Sequence, residues 1–268
     1  MDIGMYLMVA KDAAFQAGKM LKQHSSAPPK IHYKGAVDLV TEFDNRAQDM
    51  IFKSLSNHFP EHDFMAEENL SEEKGSDFCW IIDPIDGTTN FAHNFPVFCV
   101  SIAMTFEKEI KLGVIYDPMR EEMFTAVKDK GAVLNNKRIH VSSVRELDKS
   151  LLATGFPYDL RESRVNNFDH FLNFATRVQG VRRGGSAALD LCYVACGRFD
   201  GFWELKLQPW DVAAGRVIVL EAGGRVSDFQ NSEPGLSGDE TMATNGLIHE
   251  QMVNILKMSS RPLDPLTP

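Results

Sequence analysis

The sequence has no apolar run of the length a membrane helix needs, which is about 20 consecutive residues. It has no Cys-x-x-Cys pair. Cys79, Cys99, Cys192 and Cys196 are scattered among apolar neighbours and read as buried free thiols in a reducing compartment. Cys192 and Cys196, four apart, fall on one face of a helix-like stretch. A basic excess is also missing. Lys and Arg number 28 against 37 Asp and Glu, a formal charge of −9. That balance disfavours non-specific nucleic-acid binding, which depends on phosphate neutralisation by Lys and Arg. There is no internal repeat, low-complexity tract or obvious linker. Asp2, Lys11 and Asp12 interrupt the apolar character of the first residues, so no signal peptide is expected and the expected location is the cytoplasm.

What is present suits a globular protein. The 268 residues are 44% apolar and 24% charged, enough for one large domain or two small ones. Ile3, Tyr6, Leu7, Ala10, Ala14, Ala17, Gly18 and Leu21 recur at helical spacing over 2–24. A second helix is predicted from Glu42 to Phe59, stopped by Pro60. Short strands are expected at Phe64–Ala66 and Phe78–Ile82. A meander is expected over Phe98–Phe106, Lys111–Tyr116, Met123–Val127 and Gly131–Val133, with a turn at Asp117-Pro118. Beyond Lys149 the texture changes. Leu151–Thr154 and Phe199–Glu204 read as strands, and 166–177 and 186–197 as helices. Asp211–Ala222 reads as a buried helix stopped by Gly223-Gly224. The class is mixed α and β, with a division near residue 145.

Acids end several apolar runs: Glu67-Glu68, Asp83 with Asp86, and Glu204. Asp44 and Asp211 stand near helix starts, where a plain first-turn acid would also be at home. The stretch DPIDGTTN over 83–90 carries more. Pro84 cannot extend a strand ladder, so the strand is expected to stop at Asp83. The following turn gathers Asp83, Asp86 and the Ile85 carbonyl, and Gly87 leads into a segment with free N–H groups. Hard cations such as Mg²⁺ take such oxygens and share their shell with substrate phosphate. A bound cation also reverses the local sign, so that an acidic chain can attract phosphate. The rival reading is the DxDGT nucleophile of haloacid-dehalogenase phosphatases. Here two residues, not one, separate the acids, which changes the strand face each occupies. The eight histidines, among them His24, His58, His62 and His93, sit in polar or loop contexts and read as surface residues.

With WIIDPIDGTTNF at 80–91 and PWDVAAGRVIVLEAGG at 209–224, the chain resembles the inositol monophosphatase family of Mg²⁺-dependent, lithium-sensitive phosphatases, in a variant like its bacterial and archaeal members. AEEN at 66–69 and GSAALDL at 185–191 also fit, and the similarity runs from about Lys34 to Asp228. The resemblance implies an α+β fold, a layered αβαβα sandwich shared with fructose-1,6-bisphosphatase. The half 1–145 would carry most metal ligands, and 146–268 would carry Asp211 and the substrate pocket. Glu67, Asp83 and the Ile85 carbonyl would hold one Mg²⁺. Asp83, Asp86 and Asp211 would hold a second, and Glu67 would touch a third. Thr88, linked to Asp44, would orient the attacking water. The Gly87 and Thr88 amides would bind phosphate. Gly185, Ser186, Ala187 and Glu204 would contact the alcohol, with Asp86 on a hydroxyl and Lys34 nearby.

The implied activity is hydrolysis of inositol 1-phosphate, a reaction extremely slow in water. Paired metals can activate water, stabilise the leaving alkoxide and neutralise the phosphoryl oxygens. Fructose 1,6-bisphosphate is the main alternative substrate, and Arg182 and Arg183 would favour it if they reached a second phosphate. Histidinol-phosphate and 3′-phosphonucleotide phosphatases are further relatives. A homodimer is expected by analogy, with neither membrane nor direct nucleic-acid binding. A second class stays open: binding to the transcription machinery, through the apolar stripe of the first helix or the Arg182-Arg183 region.

Overall fold

The computed structural model describes residues 2–25, 31–33, 39–68, 70–160 and 162–258. Lys34, Asp38 and Asn69 lie outside the described residues. Helix α1 (Ile3–His24) buries Ala10, Ala13, Ala14, Ala17 and Leu21, small enough for close packing. Strands β1 (Ile31–Tyr33) and β2 (Leu39–Thr41) form an antiparallel ribbon. Helix α2 (Glu42–His58) starts from a capping box between Thr41 and Asp44. Strands β3 (Asp63–Ala66), β4 (Ser71–Glu72) and β5 (Phe78–Asp86) follow, then the short helix α3 (Thr88–Ala92). The expected meander is β6 (Cys99–Phe106), β7 (Glu109–Asp117), β8 (Glu122–Val127), β9 (Gly131–Leu134) and β10 (Lys137–Arg138). These strands make an eight-stranded sheet in the order β10-β9-β8-β7-β6-β5-β3-β4. Only β3 and β5 pair in parallel in it.

The remaining elements are β11 (Leu151–Thr154), α4 (Phe168–Ala175), β12 (Gly180–Arg182), α5 (Ala187–Ala195), β13 (Gly201–Leu207), α6 (Pro209–Glu221), β14 (Arg225–Ser227), β15 (Gly238–Thr244) and α7 (His249–Leu256). Five of them form a second sheet, β12-β11-β13-β15-β14. Three packed cores define the layers. The first joins α1 and α2 to one face of the large sheet through Trp80, Ile82, Ile102 and Val114. The second fills the space between the sheets with α5 and α6, uniting Ile81, Cys99 and Ile115 with Phe202 and Ala243. The third packs α4 and α7 on the outer face of the small sheet around Trp203 and Phe174. The order is the αβαβα sandwich, and its middle layer draws on both sides of residue 145.

The structure corrects three expectations. Strand β5 does not stop at Asp83. It runs to Asp86 with a bulge, Asp83 facing Ser101 and Asp86 facing Cys99, and neither Pro84 nor Ile85 has a ladder partner. The histidines are not all on the surface. His62 is buried, accepts the Trp80 indole N–H at 3.1 Å and stacks on Phe78, while His249 is wholly buried between Ser227 and Thr244. All four cysteines are free, but only Cys99 and Cys192 are fully buried.

Candidate active site

Residues three apart on a regular strand face opposite sides. The bulge in β5 adds one residue between Asp83 and Asp86 and turns both acids to the same side. Both are buried. The Ile85 N–H donates to Asp83 Oδ1 at 2.9 Å, which fixes the bend. Gly87 then takes φ +100°, where a Cβ would lie 2.9 Å from the Val97 carbonyl oxygen, so glycine alone suits the turn into α3.

Thr88 opens α3, with its hydroxyl 3.0 Å from Asp44 Oδ1 and 2.9 Å from the Ile85 carbonyl oxygen. Asp44 is wholly buried and accepts the Thr41 N–H at 2.7 Å and hydroxyl at 2.6 Å. Burial pushes its carboxyl up to about 6, against the opposing pull of the Thr41 and Thr88 hydrogen bonds. The capping role and the link to Thr88 therefore coexist in one side chain.

Asp86 is held from the other half of the chain. Its Oδ2 accepts the Ser186 hydroxyl at 2.7 Å and the Ala188 N–H at 2.6 Å, both from the start of α5. Burial lifts it to about 6 in spite of these bonds. Asp211, in the first turn of α6, accepts the Gln208 N–H at 2.7 Å. Glu67 follows β3, its N–H bonded to the Ile82 carbonyl at 3.3 Å. Burial raises Asp83 well above the carboxylate range, and the charge of Glu67 and then Asp86 raises it further. Burial does the same to Asp211, followed by the charge of Asp86. Glu204 on β13 is raised by burial, then by Asp190 and Asp211, while Arg183 pulls it down.

These acids line one pocket of about 320 Å³ with Ile85, Gly87 and Thr88. A groove of about 440 Å³ beside Lys11 and Phe15 is larger, but of the acids it holds only Asp12 and lacks this chemistry. Among the described lining residues five are acidic and one, Lys206, is a cation; its ammonium is bonded to Asp159 at 2.6 Å and to Ser163 at 2.8 Å. Among the described residues no three His, Cys, Asp or Glu side chains are drawn together tightly enough to hold an ion unaided. Asp83, Asp86 and Asp211 each turn one oxygen to a protein N–H. An all-oxygen set of this kind fits a hard cation that completes its shell with water and phosphate.

The other expected residues are placed less directly. Ser186 and Ala187 are buried at the start of α5 and do not line the pocket. Gly185 lies beside Asn90. Arg182 and Arg183 are exposed, and Arg183 is near enough for its charge to act on Glu204. Sequence reasoning missed Phe156, Tyr158, Leu207 and Trp210 in the pocket wall. A signal existed for the first two. They follow β11, which runs parallel to β13, and ligands gather at the carboxyl ends of parallel strands.

Known proteins give the same picture. The family model described as "Inositol monophosphatase family" matches residues 5–260. An inositol-1-monophosphatase of Synechocystis is 46% identical, over 95% of this chain and 90% of that protein. A protein of Pseudomonas aeruginosa named Nus factor SuhB is 42% identical, over 89% of this chain and 91% of its own. The solved inositol monophosphatase of Anabaena superposes with a TM-score of 0.89 at 40% identity, covering 98% of this chain and 99% of that one. A bulged strand that turns two aspartates to one side, a buried Asp–Thr pair and a match along nearly the whole length agree: the chain belongs to the inositol monophosphatase family.

Proposed function

We propose that the protein hydrolyses inositol 1-phosphate to inositol and phosphate with Mg²⁺. The observation that carries this reading is the convergence of Glu67, Asp83, Asp86 and Asp211 on one pocket, with Glu204 in its wall. Glu67, Asp83, the Ile85 carbonyl, Asp86 and Asp211 would hold two or three ions. Mg²⁺ held there would supply a more acidic water and positive charge for the phosphoryl group.

The chain's own residues do the rest. Thr88 gives its hydroxyl proton to Asp44, which leaves its oxygen to accept a hydrogen of the attacking water. Asp44, already lifted to about 6, is suited to receive a proton relayed through Thr88. The Gly87 and Thr88 amides at the start of α3 face the phosphate. Glu204 and Asp86 accept hydroxyls of the alcohol, and the Ser186 hydroxyl with the Ala188 N–H keeps Asp86 in place. Family membership supports a homodimer, a cytoplasmic location and lithium sensitivity.

The relative named Nus factor SuhB supports a second reading, a docking role in the transcription machinery beside catalysis. The test is phosphate release from inositol 1-phosphate and fructose 1,6-bisphosphate, each with Mg²⁺ and with EDTA. Mg²⁺-dependent release from the inositol ester alone is expected. Comparable release from both would make it a broad sugar-phosphate phosphatase. No release from either would leave the docking role.

A further inference from the structure

Lys206 stands on β13 two residues past Glu204 and takes no part in the chemistry above. Its backbone sits at φ +60°, a left-handed conformation that a residue with a Cβ adopts only at a cost. Strand β13 pairs with β15 at Leu205 and again at Leu207, but not at Lys206. The side chain ends in two bonds that a glycine could not make. Its ammonium donates to Asp159 Oδ2 at 2.6 Å and to Ser163 Oγ at 2.8 Å.

Both partners belong to the loop between β11 and α4. Asn167, 3% exposed, closes the neck of that loop. Its side-chain nitrogen donates to Thr154 Oγ1 at 2.9 Å and to the Gly155 carbonyl at 2.7 Å, and its oxygen accepts the Trp203 indole N–H at 2.8 Å. Just past the neck, Phe156, Pro157 and Tyr158 line the acid pocket. Asp159 then turns the chain, its carbonyl accepting the Glu162 and Ser163 N–H groups at 2.9 Å each. The loop is therefore fixed to β11 at its neck and to β13 at its turn, with the pocket wall between the two points. Asp159 Oδ1 is buried with no hydrogen-bond partner among the described residues, which leaves the carboxylate dependent on the ammonium.

We infer that Lys206 is a positioning residue: through Asp159 and Ser163 it holds the 156–158 wall against the organic part of the substrate, and so sets affinity for the ester without acting on its phosphate. This rests on the function proposed above, which gives the metal-site acids, Gly87 and Thr88 to ions and phosphate and leaves this wall to the alcohol. A free cation in an acidic pocket would instead draw the phosphate itself. The two roles differ in sign when the acid, not the lysine, is removed.

The experiment compares the native protein with Lys206→Met, Asp159→Asn and the double variant at saturating Mg²⁺. It measures turnover of inositol 1-phosphate and competitive inhibition by inorganic phosphate, which has no organic part. The paired side chains are 33% and 44% exposed, so solvent weakens the tie. Each single variant should raise the KM about fivefold, the upper worth of such a pair, with kcat held within about twofold. The double variant should raise it no further. The inhibition constant of inorganic phosphate should stay within about twofold in every variant. Trypsin should cut after Arg164, exposed in the same loop, several times faster in each variant.

A KM that rises in Lys206→Met and falls in Asp159→Asn, with the phosphate inhibition constant moving in step, would make Lys206 a phosphate-attracting charge and overturn the inference. So would an unchanged KM, additive effects of the two changes, or unchanged tryptic cleavage. If Lys206→Met does not fold, Asp159→Asn decides alone, because it leaves β13 as it is. Native protein that releases no phosphate from inositol 1-phosphate would overturn the substrate reading and this inference with it. Active native protein whose variants keep the native KM would overturn this inference only.

Discussion

A carboxyl group only 1% exposed, as in Asp83, keeps its charge only beside a cation or a dense set of donors. Burial and the neighbouring acids hold its protonated form over the usual carboxylate range. The sign follows. A folded-state pKa above the unfolded one gives stability that is full at low pH and lost as pH rises through the folded value. Asp83→Asn copies the protonated form at every pH. In EDTA its melting temperature should match the native protein only below the unfolded carboxyl's value of about 3.9, and exceed it at pH 8. Turnover with Mg²⁺ should fall about a hundredfold or more. A variant with near-native activity would remove Asp83 from the chemistry, and one that melts earlier in EDTA at pH 8 would refute its uncompensated charge. The acids were legible in the sequence because each ends an apolar run or stands near a helix start. The histidines were not. His249 has apolar Leu247 and Ile248 on one side and polar Glu250 and Gln251 on the other, and its burial depends on Ser227 and Thr244 from two strands. That burial lowers it to about 4, so it stays neutral in the fold.

At the scale of elements, the site depends on how β5 ends. Periodicity made α1, α2 and the meander readable, because their apolar faces recur over many residues. It could not show β5 passing Pro84, since a proline in a ladder reads as a stop. The bulge lets Pro84 and Ile85 go unpaired, and the strand resumes at Asp86. Nor was any element assigned over 225–256, where β14 and α7 are short and gain their order from packing on the sheet. Gly87 is the hinge between the bulge and α3. Gly87→Ala would force a side chain into φ +100° and against the Val97 oxygen. It should destabilise the fold by about 1–3 kcal/mol, the usual cost of such a conformation, and lower kcat by displacing Thr88. Thermal melting and steady-state kinetics check both effects. A variant with native melting and kcat would mean that the turn tolerates a Cβ and is no constraint on Thr88.

For the whole molecule, the family and the layer order were legible because long motifs name a fold that no single helix does. The side chains that wall the acid pocket were not, because Phe156, Tyr158 and Trp210 meet only when the parallel pair of β11 and β13 forms. Charge acts at this scale too. A chain of −9 with five acids in one pocket repels phosphate until a cation enters. Mg²⁺ and phosphate should therefore bind in mutual support, and linkage requires each to tighten the other by the same factor. Inorganic phosphate is a suitable probe, because it is the product and does not turn over. Titration calorimetry in EDTA should detect no phosphate binding at concentrations that saturate the Mg²⁺-loaded protein. In the reverse direction, saturating phosphate should tighten Mg²⁺ by about 5- to 150-fold, the usual span of such coupling. Equal phosphate affinity with and without Mg²⁺ would place the anion outside the acid pocket, and the carboxylates would then serve something other than phosphate chemistry.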